Sequence, residues 1–297
     1  MSVKAKKSIK TSKQDTLFYA VIYAVILLIL IILLFIVSSS LSSKEAVMAG
    51  RVFLLPVNFS LEGYKAVFQT NEVLIGFRNT VLYTLFGTML NVALTLIAAY
   101  PLSRKDLPYR RMWSFIFTFT MIFSGGMIPT YMVVNKLGLM NSPLAMILPT
   151  AMSVYNLMIA RTFMENSIPS ELLEAARVDG CDDIAYFWKI LLPLSKPVIA
   201  VITLYYAVAH WNSYFNAFLY ITDAKLNPLQ IVLRNILLAN QIDTAMTTDF
   251  DTMTSKQGLA DVLKYSLIVV STLPVMIMYP FVQKYFTKGV MIGAVKG

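Results

Sequence analysis

From Leu17 to Val37 the chain carries no charged side chain, and any fold open to it must accommodate that run. A hydrocarbon core about 30 Å thick is crossed by about 20 helical residues, each rising about 1.5 Å. Lys4, Lys6, Lys7, Lys10 and Lys13 precede the run and resemble the basic start of a signal peptide. The apolar part of such a peptide, however, is only about 7–15 residues long and ends in a small-x-small cleavage site. The run is therefore expected to be a retained first span. The rest of the chain agrees, because 57% of its 297 residues are hydrophobic and only 14% charged, against about a quarter charged in a soluble domain. An all-α integral membrane protein follows.

Six spans are expected, at about 17–40, 76–100, 112–134, 143–164, 196–222 and 261–286. Lysine and arginine in short loops set orientation. The N-terminal lysines, Arg104, Lys105, Arg110, Arg111, Arg177, Lys189, Lys288 and Lys296 fall on one side. The other side holds the sparser set Lys44, Arg51, Lys65, Lys136, Lys225, Arg234 and Lys256. Both termini and the loops around 101–111 and 165–195 should then be cytoplasmic, with 41–75 and 223–260 facing outward. The chain divides into a basic tail, first span and outer segment over 1–75, a transmembrane domain over 76–290 and a short C-terminal tail over 291–297.

"FSGGMIPTY" puts Gly125, Gly126 and Pro129 inside the third span. The freed backbone groups there need neighbouring helices or a wet cavity, unless the feature is a plain packing kink. Pro143 should open the fourth span. Asp261 should begin the sixth, a negative charge at the positive end of the helix dipole.

The single cysteine, Cys181, leaves no internal disulfide framework, and no metal site accompanies it. The net charge of +9 is spread over loop ends without the aromatic platform that nucleic acid requires, so topology accounts for it. No phosphate loop, HExxH or GxSxG is present, and His210 is the only histidine, so no catalytic residue is expected.

Against this background "LLEAARVDG", residues 172–180, stands out as polar. Ser170 is placed to cap a helix, Glu171 and Glu174 sit in its first turns, and Gly180 should stop it. Leu172, Ala175 and Ala176 share one face. A helix of about nine residues is unstable alone in water and must dock. A lipid surface favours bulky apolar residues with a lysine- or arginine-rich polar face, so two alanines and two glutamates point to a protein partner.

"EAARVDG" followed by "ILLP" resembles the EAA loop of the membrane subunits of binding-protein-dependent ABC importers. The matching residues are Glu174, Ala175, Ala176, Asp179, Gly180, Ile190, Leu192 and Pro193. The ending "TKGVMIGAVKG" resembles that of MalG-type carbohydrate subunits. "IPTYMVVNKLGLMNS", "LLPLSKPVIAVITLYYAVAHWNSYFNAFLY" and "NPLQIVLR" resemble the LplC/YtcP-like branch, associated with complex oligosaccharides.

The resemblance implies a type I (MetI/MalG-like) importer fold in the cell membrane. It also implies that the EAA helix couples to one of two cytoplasmic ATPase subunits, which hold the ATP and magnesium, while this chain binds no cofactor. A homologous second permease subunit and an extracytoplasmic solute-binding protein complete the expected assembly. The tail residues Lys288, Gly289, Gly293, Lys296 and Gly297 are expected to point toward the ATPases.

Polar residues deep in a span are costly unless they face a cavity or a partner. "HWNSYFNAFLY" offers the aromatic faces and amides that a sugar needs. His210 and Tyr214, Trp211 and Phe215, and Asn212 and Asn216 stand one turn apart on an unbroken helix. His210, Trp211, Asn212, Tyr214, Asn216 and Asn156 are candidates for the substrate path, with Asn91 weaker. The bland alternative is an interhelical hydrogen-bond network with an aromatic belt. An ion-coupled secondary transporter is the functional alternative, but it would be expected to carry acidic or histidine relays inside its spans.

Overall fold

The computed structural model describes residues 13–242 and 250–294. Its helices are α1 (Lys13–Ser40), α2 (Lys44–Met48), α3 (Glu62–Gln69), α4 (Asn71–Ser103), α5 (Arg110–Ile122), α6 (Met127–Lys136), α7 (Leu144–Ile147), α8 (Val154–Ser167), α9 (Glu171–Val178), α10 (Asp183–Tyr186), α11 (Leu192–Leu194), α12 (Lys196–Trp211), α13 (Phe215–Tyr220), α14 (Leu229–Ile242) and α15 (Phe250–Ala294). A π-helical stretch, Phe187–Leu191, joins α10 to α11. The described residues form no sheet, only an isolated bridge between Ser42 and Phe59.

Three helices are long and apolar enough to cross a membrane, over Leu17–Ser40, Asn71–Ser103 and Ala260–Phe281, and three bent pairs raise the number to six. Three of the spans are bent, the third at the glycines that the sequence marks and the other two without such a signal. The third span breaks by 107° between α5 and α6, and the fourth by 53° before α8. The fifth helix enters from Asp183–Leu194 through an 80° bend and stops at Trp211, short of the expected 222. The i, i+4 pairings drawn across residues 210–216 therefore lie on two helices and a turn, not on one. Asp261 also lies inside α15 and does not start it.

The chain forms two compact units. In the unit comprising 13–69 and the described part of 237–270, α1 is exposed along its apolar length. Phe35 meets Tyr265 edge-on at 5.7 Å. A Cβ on Gly63 would fall 2.3 Å from Ser266 Oγ, so α3 and α15 pack there at glycine distance.

The other unit, 70–236 with 271–294, is built around α4, whose closest neighbours are α12 and α8. The sequence of α4 is inverted relative to a soluble helix. Its buried face includes Gly76, Asn79, Thr80, Thr84, Gly87, Thr88, Asn91, Thr95 and Ala99. Leu74, Leu85, Phe86, Met89 and Ile97 face outward. Lipid tails are as apolar as leucine, so small side chains that allow close approach and polar side chains that bond across helices hold the interior together.

Candidate coupling site and polar spine

Helix α9 begins after Ser170, but the serine side chain makes no cap hydrogen bond. Its C-terminus is built more firmly. Gly180, at φ +76°, takes the left-handed conformation in which a side chain is strained. The Cys181 N–H donates to the Ala176 carbonyl at 2.8 Å and the Gly180 N–H to that of Arg177 at 3.1 Å. This pair of bonds is a Schellman ending, and the accompanying apolar contact is expected between the same two positions. Cys181 and Ala176 do share one core cluster. Asp182 then caps α10, accepting from the Ala185 N–H at 2.6 Å. The letters "DGCD" thus close one helix and open the next without slack.

The structure divides the face expected to dock. Ala176 is buried and Leu173 packs beside it in the chain's own core, with Leu157, Ala160 and Met164 of α8 in the same cluster. Glu171, Leu172, Glu174, Ala175, Val178 and Asp179 remain exposed, Val178 to 87%. Further along the loop, Ile190 and Leu192 pack on that same core while Pro193 is exposed. Of the tail residues, Lys288, Gly289 and Gly293 lie on α15, and Lys296 and Gly297 lie outside the described residues.

A charged clamp fixes α9, and sequence reasoning missed it. Arg104, just past the end of α4, pairs with both Asp106 and Asp183 and donates to the Tyr100 hydroxyl at 3.2 Å. Arg177 of α9 reaches Asp106 at 3.1 Å and Asp183 at 3.9 Å. The Arg104 guanidinium holds the Asp106 carboxyl below the usual carboxylate range, and Arg177 adds to the effect. Two arginines and two aspartates balance in charge. A high density of basic and acidic residues near the 101–111 loop was the available signal, but the pairing spans 71 residues between Asp106 and Arg177.

Inside the bundle a line of polar side chains satisfies broken backbone. Asn91 donates to the Thr150 carbonyl at 2.9 Å and lies 3.1 Å from His210 Nε2. The Tyr206 hydroxyl bonds Thr95 at 2.7 Å and accepts the Ser153 N–H at 3.0 Å. Thr150 and Ser153 flank the bend before α8, where helical bonding lapses, so α4 and α12 supply the partners that lipid cannot. Further along α4, Asn79 donates to the carbonyls of Lys225 and Asn227, Tyr83 to that of Leu226, and Thr80 accepts the Leu229 N–H. The loop entering α14 is thereby sewn onto α4, with Leu229 and Val232 buried. The break between α5 and α6 is supported locally instead: Ser124 accepts the Gly126 N–H and Thr130 donates to the Gly126 carbonyl.

The candidate path residues separate into two groups. His210 and Trp211 are buried, His210 against Asn91 and Trp211 donating its indole N–H to the Ser271 carbonyl at 2.8 Å. That carbonyl lies on the turn that Pro274 interrupts. Asn156 is buried on α8. Asn212 and Tyr214 are exposed, Asn216 is half-buried, and Asn212 donates to the Val208 carbonyl at 3.0 Å. A cavity of about 660 Å³ beside α4 is walled by side chains such as Leu85, Met89, Ile97, Trp188 and Met278, a surface for hydrocarbon and not for sugar hydroxyls. Among the described residues no cluster of metal-ligating side chains occurs.

A helical membrane domain with broken spans, an internal polar spine and a short helix presented on a clamp has the architecture of a transport subunit. Residues 91–292 match the family described as binding-protein-dependent transport system inner membrane component. The polygalacturonan/rhamnogalacturonan transport system permease protein YtcP of Bacillus subtilis is 41% identical over 284 residues, covering 95% of this chain and 98% of that one. Protein LplC of the same organism is 43% identical over 254 residues, 85% of each chain. A crystal structure of a bacterial ABC transporter involved in the import of the acidic polysaccharide alginate contains a chain 33% identical, covered in full, with a TM-score of 0.81 over 94% of this chain. This chain belongs to that family of inner membrane components, as a non-catalytic permease subunit of an ABC importer.

Proposed function

We propose that this chain passes a carbohydrate, an oligosaccharide delivered by an extracytoplasmic solute-binding protein, across the cell membrane, using ATP hydrolysed on two separate cytoplasmic subunits. It works beside a homologous second permease subunit, with six spans and both termini in the cytoplasm. ATP and magnesium belong to the ATPases, and the tail from Lys288 to Gly297 turns toward them. The polysaccharide transport systems of the relatives and the excess of lysine and arginine on the 101–111 and 165–195 side support this reading.

The observation that carries the coupling role is the division of α9. Ala176 and Leu173 anchor the helix inward, while Leu172, Ala175 and Val178 present a small apolar stripe, flanked by Glu171 and Glu174, that none of the described residues covers. Such a stripe fits a cleft closely, and the clamp carries a push on α9 to the inner end of α4. Rigid-body switching between two packings needs a stiff link of this kind.

The test is Ala175→Trp in the assembled importer. Uptake and the stimulation of ATPase activity by loaded binding protein should both disappear while the isolated ATPase keeps its basal rate. Survival of both functions refutes the docking role. Asn212 and Tyr214 are the path residues this reading places in contact with sugar. His210, Trp211 and Asn156 shape the path from behind.

A further inference from the structure

The start of α5 and the C-terminal half of α8 enclose a cavity of about 460 Å³ that the coupling reading leaves unused. Its wall brings together Arg110, Arg111 and Arg161 with a single carboxylate, Glu165, a net charge of two positive. Glu165 is committed to Arg110 at 2.6 Å and reaches Arg161 only at 3.6 Å. Arg110 is further fixed by donating Nε–H to the Leu102 carbonyl at 2.9 Å. Arg161 otherwise has a weak 3.9 Å contact to the Met158 sulfur, and its Nε is buried without a hydrogen-bond partner among the described residues. The buried Ser114 hydroxyl on the same wall has none among them either. Arg111 is exposed and forms no ion pair among the described residues. Buried donors left open are costly, so a site holding two of them is built for something that accepts.

The surroundings say what that acceptor is attached to. No residue of α5 is buried as a whole, and from this cavity its exposed face continues through Phe115, Phe119 and Ile122. The bond to Leu102 sets the arginines level with the inner end of α4, where a span meets headgroups. Positive charge at headgroup depth, followed by an apolar rail, matches an anionic amphiphile. Guanidinium forks suit phosphate in particular, and basic pockets between spans on the cytoplasmic side are where acidic headgroups are held.

We propose that Arg111, Arg161 and Ser114 form a binding site for the phosphodiester of an anionic phospholipid of the cytoplasmic leaflet, with Arg110 and Glu165 as its frame and the α5 aromatics against its acyl chain. The leaflet rests on the orientation proposed above; the chemistry of the site does not.

The full chain, purified with its partner subunits into nanodiscs of phosphatidylcholine with or without phosphatidylglycerol, is examined by native mass spectrometry for lipid retained on release. Phosphatidylglycerol should be retained in preference, and Arg111→Gln with Arg161→Gln should lower that retention about thirtyfold. Arg111→Gln alone, at an exposed position, should lower it in part and guards against misfolding of the pair. Equal retention of the two lipids, or retention unchanged by both variants, overturns the proposal. Displacement of the lipid by inorganic phosphate as readily as by phosphatidylglycerol assigns the site to a free anion and overturns it too. So does a preference that appears only when the second permease subunit is removed, which assigns the cavity to an acidic residue of that subunit. Orientation is read separately, by a membrane-impermeant maleimide on Lys105→Cys in a Cys181→Ser chain. Labelling from the outer face ends the orientation reading and leaves the lipid count standing.

Discussion

Replacing Gly87 by alanine tests how tightly α4 and α12 are fitted. A Cβ at that position would lie 2.5 Å from His210 Nε2, 2.6 Å from Cε1 and 2.9 Å from Cδ2, whereas carbon contacts are comfortable from about 3.5 Å. The ring must retreat by about 1 Å, yet it is buried and 3.1 Å from Asn91 Nδ2. Moving it breaks an interhelical hydrogen bond between spans, worth about 0.6–1.7 kcal/mol, and overpacking adds about 1–3 kcal/mol. Alanine returns about 1 kcal/mol through its helix propensity. The net is a destabilisation of about 0.6–3.7 kcal/mol. Thermal unfolding of the purified complex in detergent should show a midpoint several degrees lower. His210→Ala in the same background should recover part of that loss, because it removes the ring the methyl group strikes. An unchanged midpoint for Gly87→Ala, or a double variant no better than the sum of the singles, refutes the claim that this contact limits the approach of the two helices.

The clamp and the path make further predictions. Arg177→Asp should weaken uptake relative to ATP hydrolysis, and Asp106→Arg added to it should restore part of the ratio, since the Arg–Asp pair is then re-formed in reverse. Because Asp106 is ionised well below its ordinary pKa when paired, the clamp's contribution is complete above about pH 4 and fades only below that. The ratio should therefore be flat in pH from neutral down through mild acid. These groups are about half exposed, so each pair alone is worth at most about 1 kcal/mol. Asn212→Ala should change uptake while the complex still assembles; loss of assembly would make Asn212 a packing residue.

The sequence made the short helix and its stop readable, because "SELLEAARVDG" carries its own boundary signals. The inverted α4 was legible only as a long apolar run. Which of its faces is buried depends on small and polar residues, whose meaning reverses between water and lipid. The bends were half visible. Gly125, Gly126 and Pro129 marked the third-span break, but the bend before α8 is held open by Asn91 and Tyr206, which lie 59 and 53 residues away from their partners. The end of α12 at Trp211 was missed for a related reason. Nothing in "AHWNSYFN" stops a helix by itself, and the turn there is set by contacts made elsewhere. Long-range pairing also hid the clamp, since a single arginine in a docking helix looks the same whether it faces a partner protein or its own loop.

The stitches between α4 and the loop before α14 join residues 146, 148 and 149 positions apart. At about 5–20 residues per second of synthesis, Asn79 and Thr80 are made roughly 7–30 s before their partners exist. For that interval a helix destined for the centre of its unit has the outer part of its polar side, Asn79 and Thr80, unmatched and can find neither water nor a permanent neighbour for it in the bilayer. Its nascent form must be sheltered by the insertion machinery or by another newly made span. The later chain then completes α4 retroactively, so a ribosome stalled before residue 225 would leave α4 as the first part of the molecule open to quality control.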